Sequence, residues 1–209
     1  MDDQDRIHCE YLDLTHYDII PRMVKGIGAQ TYLEIGCADN QCFDRVQAKH
    51  KVGVDPLMGG THRMTSDEFF ANSDEKFDVI FIDGLHTYQQ VKKDYENARL
   101  RINPHGLILF HDVLPDNRYA AWPTKKGRPK IENVVAWNGD VWRINFDLIA
   151  STDVDYRLIT NLHGVGVLRM RQSQALQLKG NNGSWGFFHS NWKKIPRLDS
   201  LQQIDSFIF

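Results

Sequence analysis

The chain has 209 residues, of which 42% are hydrophobic and 25% charged, as in a globular protein large enough for one well-packed domain. Its net charge of −2 gives no sign of a surface for nucleic acid or anionic membranes, and no apolar stretch is as long as a membrane span. The acidic start, residues 1–6, is unlike a signal peptide, and the three cysteines have neither disulfide nor zinc spacing, so we expect a cytoplasmic protein.

Helices and strands alternate along the first part of the chain. Apolar residues at helical spacing predict a helix over Tyr17–Ile27, and Tyr32–Ile35 is a short apolar strand followed by a glycine turn. We predict a second helix over Cys42–His50 and a second strand over Val52–Pro56. The Thr-Ser-Asp-Glu sequence at 65–68 is a capping box that predicts the start of the next helix.

The alternation continues through the middle of the chain. An apolar strand over Phe77–Asp83 precedes an amphipathic helix over Tyr88–Ile102 and then the strand Leu107–Phe110. Residues 113–132 are rich in Pro, Lys and Arg, and we expect them to be irregular, as functional or disordered loops of this length usually are. A helix is predicted over Asn133–Ala150.

The last part contains two more strands and an aromatic segment. Strands over Asp155–Thr160 and Val165–Met170 enclose a tight turn, and we expect them to form an antiparallel edge. Repeated βα units from Tyr32 onward predict an α/β fold with a mostly parallel sheet and helices on both faces. Residues 171–209 have too many aromatic side chains for a disordered tail, so we expect them to lie beyond the sheet and pack on this domain or on a partner subunit.

Polar side chains follow two of the predicted strands at the point where each strand ends. The apolar run of residues 77–82 stops at Asp83, and His86 comes three residues later. The next apolar run ends in His111 and Asp112. Because ligands of open α/β sheets bind at the carboxyl ends of the strands, these four side chains are candidate site residues.

Two further features favour a nucleoside-containing ligand. Gly36 follows the first strand, where a glycine lets the backbone approach a ligand closely. Asp55 ends the second strand, the position from which a carboxylate binds ribose hydroxyls in nucleoside-binding folds. Each feature alone is compatible with an ordinary turn, and the two together predict a nucleoside ligand.

Five stretches of the sequence form an ordered set of motifs, at Tyr32–Gly36, Val52–Pro56, Met64–Phe70, Phe77–Tyr88 and Gly106–Pro115. They resemble successive motifs of class I S-adenosylmethionine-dependent methyltransferases. The resemblance covers about residues 17–170 and points to the small branch that includes macrocin-type sugar O-methyltransferases and cephalosporin-hydroxylase-like proteins. It implies a Rossmann-like, seven-stranded, mostly parallel sheet with an antiparallel edge strand. Residues 1–170 would form the cofactor-binding domain, with residues 1–28 as an N-terminal helical cap.

The resemblance implies how S-adenosylmethionine would be bound. Asp55 would hold its ribose, and Ser66 and Asp67 would lie near its adenine. Asp83 would lie where the cofactor meets the acceptor. The methionine end would be lined by Glu34, Gly36 and Cys37.

The resemblance also implies the chemistry at the acceptor end. Asp83 and His86 would be catalytic, with His86 as the general base that removes a hydroxyl proton. Asp83, His111 and Asp112 would hold a divalent metal, either Mg²⁺ or, because an imidazole is present, Mn²⁺ or a later transition metal. The simpler alternatives are that His86 caps the following helix and that Asp112 caps a turn with His111 at the rim. The seven other histidines show no ligand spacing, and we expect them at the surface or in hydrogen-bonded positions.

These features predict methyl transfer from S-adenosylmethionine to a hydroxyl of a sugar or small polyhydroxylated metabolite. We expect this small-molecule acceptor as the partner, with no nucleic acid or membrane, and the aromatic segment would suit a homodimer. Two alternatives remain open. Ala38 and Asn40 replace two glycines of the family pattern, which would suit a protein that keeps the fold without catalysis. Asp55 would also suit a dinucleotide-dependent oxidoreductase, although no G-x-G-x-x-G sequence is present.

Overall fold

A seven-stranded sheet forms the centre of the computed structural model, which describes residues 6–129 and 136–208. The strands are β1 (Thr31–Ile35), β2 (His50–Val54), β3 (Phe77–Ile82), β4 (Ile102–Phe110), β5 (Asp155–Ile159), β6 (Val165–Arg169) and β7 (Arg197–Leu198). Their order across the sheet is β2-β1-β3-β4-β6-β5-β7. The strands β1 to β4 are parallel to one another, and β6 is antiparallel to both β4 and β5. The predicted α/β fold with a mostly parallel sheet is confirmed.

Helices cover both faces of the sheet. They are α1 (His16–Gly26), α2 (Ser66–Asn72), α3 (Tyr88–Arg101), α4 (Ile144–Ile149), α5 (Trp185–Asn191) and α6 (Leu201–Ile208). Residues 80 and 82 of β3 pack in one apolar layer with α3 and α4, whereas residues 79 and 81 pack in the other layer with α1 and α6. This alternation buries β3 on both faces, which is why its sequence is a continuous apolar run.

Two helix predictions are wrong. In place of a helix over Cys42–His50 the chain forms a single 3₁₀ turn, Phe43–Arg45, and His50 already pairs with Thr31 in the sheet. The 3₁₀ turn ends at its C-cap residue Val46, whose backbone is already extended with a φ of −73° and a ψ of 129°. The helix predicted over Asn133–Ala150 begins only at Ile144, after a 3₁₀ turn, and residues 130–135 lie outside the described part of the chain.

The segment after residue 170 is part of the sheet at one point, so the prediction that it lies beyond the sheet is wrong. Arg197 and Leu198 form β7, which pairs in parallel with β5 at the outer edge. Two residues carry no periodicity, and a strand of this length has no signal in the sequence. Phe188 packs 4.9 Å from Trp142, between ring centroids, so the aromatic side chains of this segment extend the apolar core. The predicted domain boundary at residue 170 stays a prediction.

Within the described ranges, no helix combines the length and apolar character that crossing a membrane requires. The longest helix, α3, has 14 residues, whereas a membrane span needs about 20 apolar residues. The buried face of α3 is formed by Val91, Tyr95 and Ala98, as its amphipathic pattern predicts. This helix therefore packs against the sheet through one stripe and faces solvent on the other.

Candidate active site

A cavity of about 780 Å³ opens at the carboxyl ends of β1 to β4. Strands in parallel pairing end at the same edge, so the residues that follow them are brought together there. The predicted site residues that line this cavity are Gly36, Asp55, Ser66, Asp67, Asp83, His86, His111 and Asp112.

The other two predicted cofactor residues, Glu34 and Cys37, are not among the described residues that line the cavity. Glu34 is 1% exposed and accepts a hydrogen bond from the hydroxyl of Tyr32. Burial raises the pKa of Glu34 to about 8 and also raises the pKa of the Cys37 thiol. The geometry therefore gives both side chains a place in the packing below the cavity and does not support their predicted contact with the methionine end.

The glycine turn after β1 brings two strand ends into close contact. Gly36 has a φ of 86°, and a Cβ atom built on it would lie 2.1 Å from the carbonyl oxygen of Asp83. Any side chain at this position would therefore push β1 and β3 apart. Ala38 and Asn40, which replace two glycines of the family pattern, also have positive φ values of 43° and 67°. The turn keeps its left-handed conformation at both positions without glycine.

Asp55 organises the turn from the end of β2. Its Oδ2 accepts a hydrogen bond from Ala38 N at 3.0 Å, and its Oδ1 accepts from Leu57 N at 2.8 Å and Met58 N at 2.9 Å. Burial alone would raise the pKa of Asp55, but these backbone hydrogen bonds outweigh burial and lower it. A carboxylate has about four acceptor positions, so about one stays open towards the cavity.

The far wall of the cavity is formed where α2 begins. Ser66 and Asp67 lie behind the N-cap residue Thr65, whose capping box with Glu68 confirms the predicted helix start. Gln90 Nε2 donates hydrogen bonds to Ser66 Oγ at 3.2 Å and to Asp67 Oδ1 at 3.1 Å. These contacts join α2 to α3 and fix the polar groups at this end.

His86 is held in one orientation at the other end. Its Nδ1 lies 2.9 Å from Asp112 Oδ2 and 3.0 Å from the carbonyl oxygen of Trp137. Both of these atoms are acceptors, so Nδ1 carries the proton, and neutral His86 has its lone pair on Nε2. Nε2 lies 3.6 Å from Asp83 Oδ1, which is too far for a hydrogen bond. Burial lowers the pKa of His86, but the hydrogen bond and charge of Asp112 outweigh burial and raise it.

Residues 137–140, which we call the clamp segment, hold His86 and its neighbours. The ring of Trp137 stacks on His86 with centroids 5.1 Å apart and planes 14° apart. Asn138 Nδ2 donates a hydrogen bond to Asp112 Oδ1. Gly139 has a φ of 68°, and a Cβ there would lie 1.7 Å from the carbonyl oxygen of His86.

The clamp segment also stabilises the start of α3, so His86 does not cap this helix. Asp140 Oδ1 accepts a hydrogen bond from Tyr88 N at 2.7 Å, and Thr87 is the N-cap residue. The alternative that His86 caps α3 therefore does not fit the structure. The role of residues 137–140 is missed at the level of the sequence, because a helix is predicted there. Gly139 and Asp140 are a signal against that helix, since glycine and aspartate are unfavourable inside helices.

Two further histidines line the cavity beside His111. The ring centroids of His16 and His111 are 4.0 Å apart, and those of His111 and His163 are 6.2 Å apart. His111 is 7% exposed, so the alternative that it lies at the rim is wrong. Burial lowers the pKa of His16 to about 3, whereas the charges of Asp83 and Asp112 outweigh burial at His111 and raise its pKa. No local spacing predicts this cluster, because its members are far apart in the sequence.

Two sets of three side chains could hold a metal ion among the described residues. The donor atoms within each set lie within 4.8 Å of one another. One set consists of Asp83, His86 and Asp112, and the other of His16, Asp83 and His111.

Comparison with known proteins shows similarity to methyltransferases. Residues 25–113 match the model of a family described as a methyltransferase domain. An uncharacterized protein of Sinorhizobium fredii, y4gI, is 34% identical over 90 residues, which cover 42% of this chain and 10% of that protein. The chain thus spans a tenth of the length of this curated relative.

Solved structures share the fold. The SAH-bound methyltransferase PaMTH1 of Podospora anserina superposes with a TM-score of 0.57, 15% identity and coverage of 75% of this chain and 78% of its own. The O-methyltransferase TomG of Streptomyces achromogenes, in complex with SAM, gives a TM-score of 0.55, 14% identity and coverages of 77% and 82%. The methyltransferase MycE of the mycinamycin pathway, in complex with Mg and SAH, gives a TM-score of 0.50, 15% identity and coverage of 81% of this chain and 53% of its own.

The fold is shared with solved methyltransferases, and the match to the methyltransferase-domain model covers residues 25–113. The predicted resemblance to class I S-adenosylmethionine-dependent methyltransferases is confirmed. The matched segment contains the glycine turn, Asp55, Asp83 and the His111–Asp112 pair, whereas His16 and the clamp segment lie outside it.

Proposed function

We propose that this protein transfers the methyl group of S-adenosylmethionine to a hydroxyl group of a sugar or another small polyhydroxylated metabolite. The observation that carries the proposal is the fixed orientation of His86, between Asp112 on one side and Asp83 on the other, at the strand-end cavity of a class I methyltransferase fold. An oriented base beside the cofactor cavity is what O-methylation requires of the protein.

The cavity has the features that the cofactor needs. Its volume of about 780 Å³ lies within the range of about 300–1,000 Å³ that is typical of small-molecule sites. Gly36 leaves the cavity floor free of a side chain, and Asp55 offers an acceptor position to a ribose hydroxyl. Ser66 and Asp67 would lie near the adenine. When bound, S-adenosylmethionine supplies a methyl group on a positively charged sulfur.

His86 would act as the general base. Its Nε2 would take the proton of the acceptor hydroxyl. S-adenosylmethionine, held by Gly36 and Asp55, would supply the methyl group to the hydroxyl oxygen and would leave as S-adenosylhomocysteine. Asp112 stabilises the imidazolium that forms, because its Oδ2 accepts the Nδ1 hydrogen at 2.9 Å. Asp83 lies beside this position and would orient the acceptor.

Several polar groups face the acceptor end and suit a ligand with more than one hydroxyl. Asp83 accepts hydrogen bonds, and the imidazoles of His16 and His163 add donors and acceptors to the same wall. TomG, an O-methyltransferase of tomaymycin synthesis, and MycE, a methyltransferase of the mycinamycin pathway, share the fold and support an oxygen acceptor on a small molecule.

A divalent metal fits part of the predicted set. Asp83 and His111 face each other, with Oδ1 and Nδ1 3.2 Å apart. Both oxygens of Asp112 already accept hydrogen bonds, from Asn138 and His86, so Asp112 fits the role of orienting the base better than that of a metal ligand. When present, Mg²⁺ or Mn²⁺ would lower the pKa of the acceptor hydroxyl.

A homodimer would have to form through residues other than the buried aromatic side chains of the C-terminal segment. Phe188 and Trp192 of the aromatic C-terminal segment are buried within the chain, so they are not available to an interface. The small-molecule acceptor is the partner that the cavity supports.

The test is a transfer assay with the full-length protein, S-adenosylmethionine labelled in its methyl group, and a panel of sugars, nucleotide sugars and vicinal diols. We expect label to enter one acceptor class and His86→Ala to lower turnover by about 10²- to 10⁴-fold, with unchanged calorimetric affinity for S-adenosylhomocysteine. Equal turnover of the variant would refute the role of His86. Stabilisation by NAD but not by S-adenosylhomocysteine would refute the proposed function as a whole.

A further inference from the structure

The histidine cluster contains a group whose hydrogen bonding is incomplete. His111 is 7% exposed, and its Nε2 is buried with no hydrogen-bond partner among the described residues. A buried polar atom without a partner is unfavourable. The side chain next to it, His16, makes ring contacts with His111 at 4.0 Å and with Phe81 at 6.3 Å, and no hydrogen bond to it occurs within the described ranges. Both imidazoles line the cavity, and each has a nitrogen atom without a hydrogen bond among the described residues.

His16 is presented to the cavity by a rigid helix start. It is the first residue of α1, directly after the N-cap Thr15. Thr15 N and Oγ1 both donate hydrogen bonds to Asp18 Oδ2, at 2.9 and 2.7 Å, and fix the first turn. The buried face of the helix, formed by Ile19, Ile20, Met23 and Val24, anchors it on the sheet.

We propose that His16, Asp83 and His111 bind a divalent first-row transition metal, so that α1 contributes a ligand to the active site. The donor atoms of these three residues lie within 4.8 Å of one another. Ligands bound at about 2.0–2.2 Å are at most about 4.4 Å apart, so a side-chain movement below one ångström completes the set. Three protein ligands leave further positions for water or for acceptor oxygens.

The donor set determines which metal is preferred. Two imidazoles and one carboxylate suit Fe²⁺, Co²⁺, Ni²⁺ or Zn²⁺, whereas Mg²⁺ prefers oxygen ligands and water. The alternative set of Asp83, His86 and Asp112 fits less well, because a metal there would compete for the His86–Asp112 hydrogen bond of 2.9 Å. The two carboxylates thus have different roles, with Asp83 as a metal ligand and Asp112 as the hydrogen-bond partner of His86. The inference rests on the proposed function only for the metal's role in turnover, since binding itself is independent of methyl transfer.

The test is a titration of the chelator-treated full-length protein with CoCl₂ and, separately, with MgCl₂, followed by calorimetry and by the visible absorption of Co²⁺. We expect one equivalent of Co²⁺ to bind, roughly 100-fold more tightly than Mg²⁺. His16→Asn and Asp83→Asn should each weaken Co²⁺ binding at least about tenfold and change the spectrum. The matched control is His163→Asn, which removes an imidazole from the same cavity wall and should change the affinity less than about threefold.

Thermal melting verifies that the variants are folded, and a variant that melts early is replaced by His16→Gln. Equal Co²⁺ affinity of the wild type and a folded His16 variant would overturn the proposal, as would Mg²⁺ binding as tight as that of Co²⁺. A loss of Co²⁺ affinity in His163→Asn as large as that in His16→Asn would also overturn the assigned ligand set. Binding of S-adenosylhomocysteine, measured on the same samples, separates this result from the proposed function, since either can fail without the other.

Discussion

The two ends of the cavity are built in different ways. At the cofactor end, backbone atoms make most of the contacts, because Asp55 accepts hydrogen bonds from three backbone amides and Gly36 contacts the end of β3 directly. At the acceptor end, side chains from distant segments meet, with His16 from α1 and Asn138 from the clamp segment beside the strand-end residues.

This difference explains why the two ends would respond differently to substitution. A site formed by a tight backbone turn is fixed by local conformation and depends on few side chains. A site assembled from distant side chains depends on each contact that orients the reactive group, and errors below one ångström there reduce turnover strongly. Substitutions at the acceptor end should therefore change turnover, and those at the cofactor end should change cofactor binding or stability.

After His86→Ala, the largest effect on turnover is expected for Asp112→Asn. Asp112 has a φ of 61°, a conformation that asparagine tolerates well, and Asn138 Oδ1 has no hydrogen-bond partner among the described residues, so Asn138 can flip to meet the new amide. The variant keeps the hydrogen bonds but loses the charge that stabilises protonated His86. We expect turnover to fall by roughly 10²-fold in steady-state assays.

The affinities of Asp112→Asn for the cofactor product and for metal show whether the loss of turnover comes from His86 alone. Binding of S-adenosylhomocysteine and of Co²⁺, both measured by calorimetry, should change less than about threefold. Loss of Co²⁺ binding would instead assign Asp112 to the metal.

A smaller effect is expected for Gly139→Ala, which tests the clamp segment. The new Cβ would meet the carbonyl oxygen of His86, 1.7 Å away, and would move the His86 loop. Gly28→Ala is a matched control, because Gly28 has a similar φ of 64° but a Cβ added there would have no atom within 4 Å. Both variants should lose about 1 kcal/mol of stability from the positive φ in urea unfolding, and Gly139→Ala should lose more because its Cβ displaces backbone atoms. Only Gly139→Ala should also lose turnover, and equal turnover of the two variants would remove the clamp segment from the mechanism.

The smallest effect on turnover is expected at Glu34, which lies below the cofactor end and changes how stability depends on pH. Burial raises its pKa to about 8, from 4.5 in an unfolded chain, so the folded state holds a proton that the unfolded state releases. The free energy of unfolding should therefore decrease as pH rises from about 4.5 to about 8, by at most about 1.4 kcal/mol per pH unit. Glu34→Gln should flatten this decrease in urea unfolding at pH 5 and pH 8. The exposed Glu96→Gln should leave it unchanged, and a wild-type slope in Glu34→Gln would contradict the account.

The contrast between the two ends also describes what the sequence could predict. The βα alternation, the glycine turn and Asp55 have local signals, because a strand, its turn and its terminal acid are consecutive residues. The left-handed conformation of Asn40 could be expected from its residue type.

The remaining features depend on contacts between distant parts of the chain. His16 and His163 reach His111 only after α1 and β6 have packed, so spacing along the sequence contains no information about them. The short β7 and the non-helical clamp segment escape prediction for the same reason, since tertiary pairing overrides weak local preference there. The position of Glu34 predicts contact with the cofactor, but its hydrogen bond with Tyr32 directs it into the packing.

The most direct test of the central claim is a crystal structure of the protein grown with S-adenosylhomocysteine. The account predicts the ligand in the strand-end cavity, with its ribose at Asp55 and its sulfur directed towards the space between Asp83 and His86. Electron density for the ligand at another surface, or an empty cavity at saturating concentration, would contradict it.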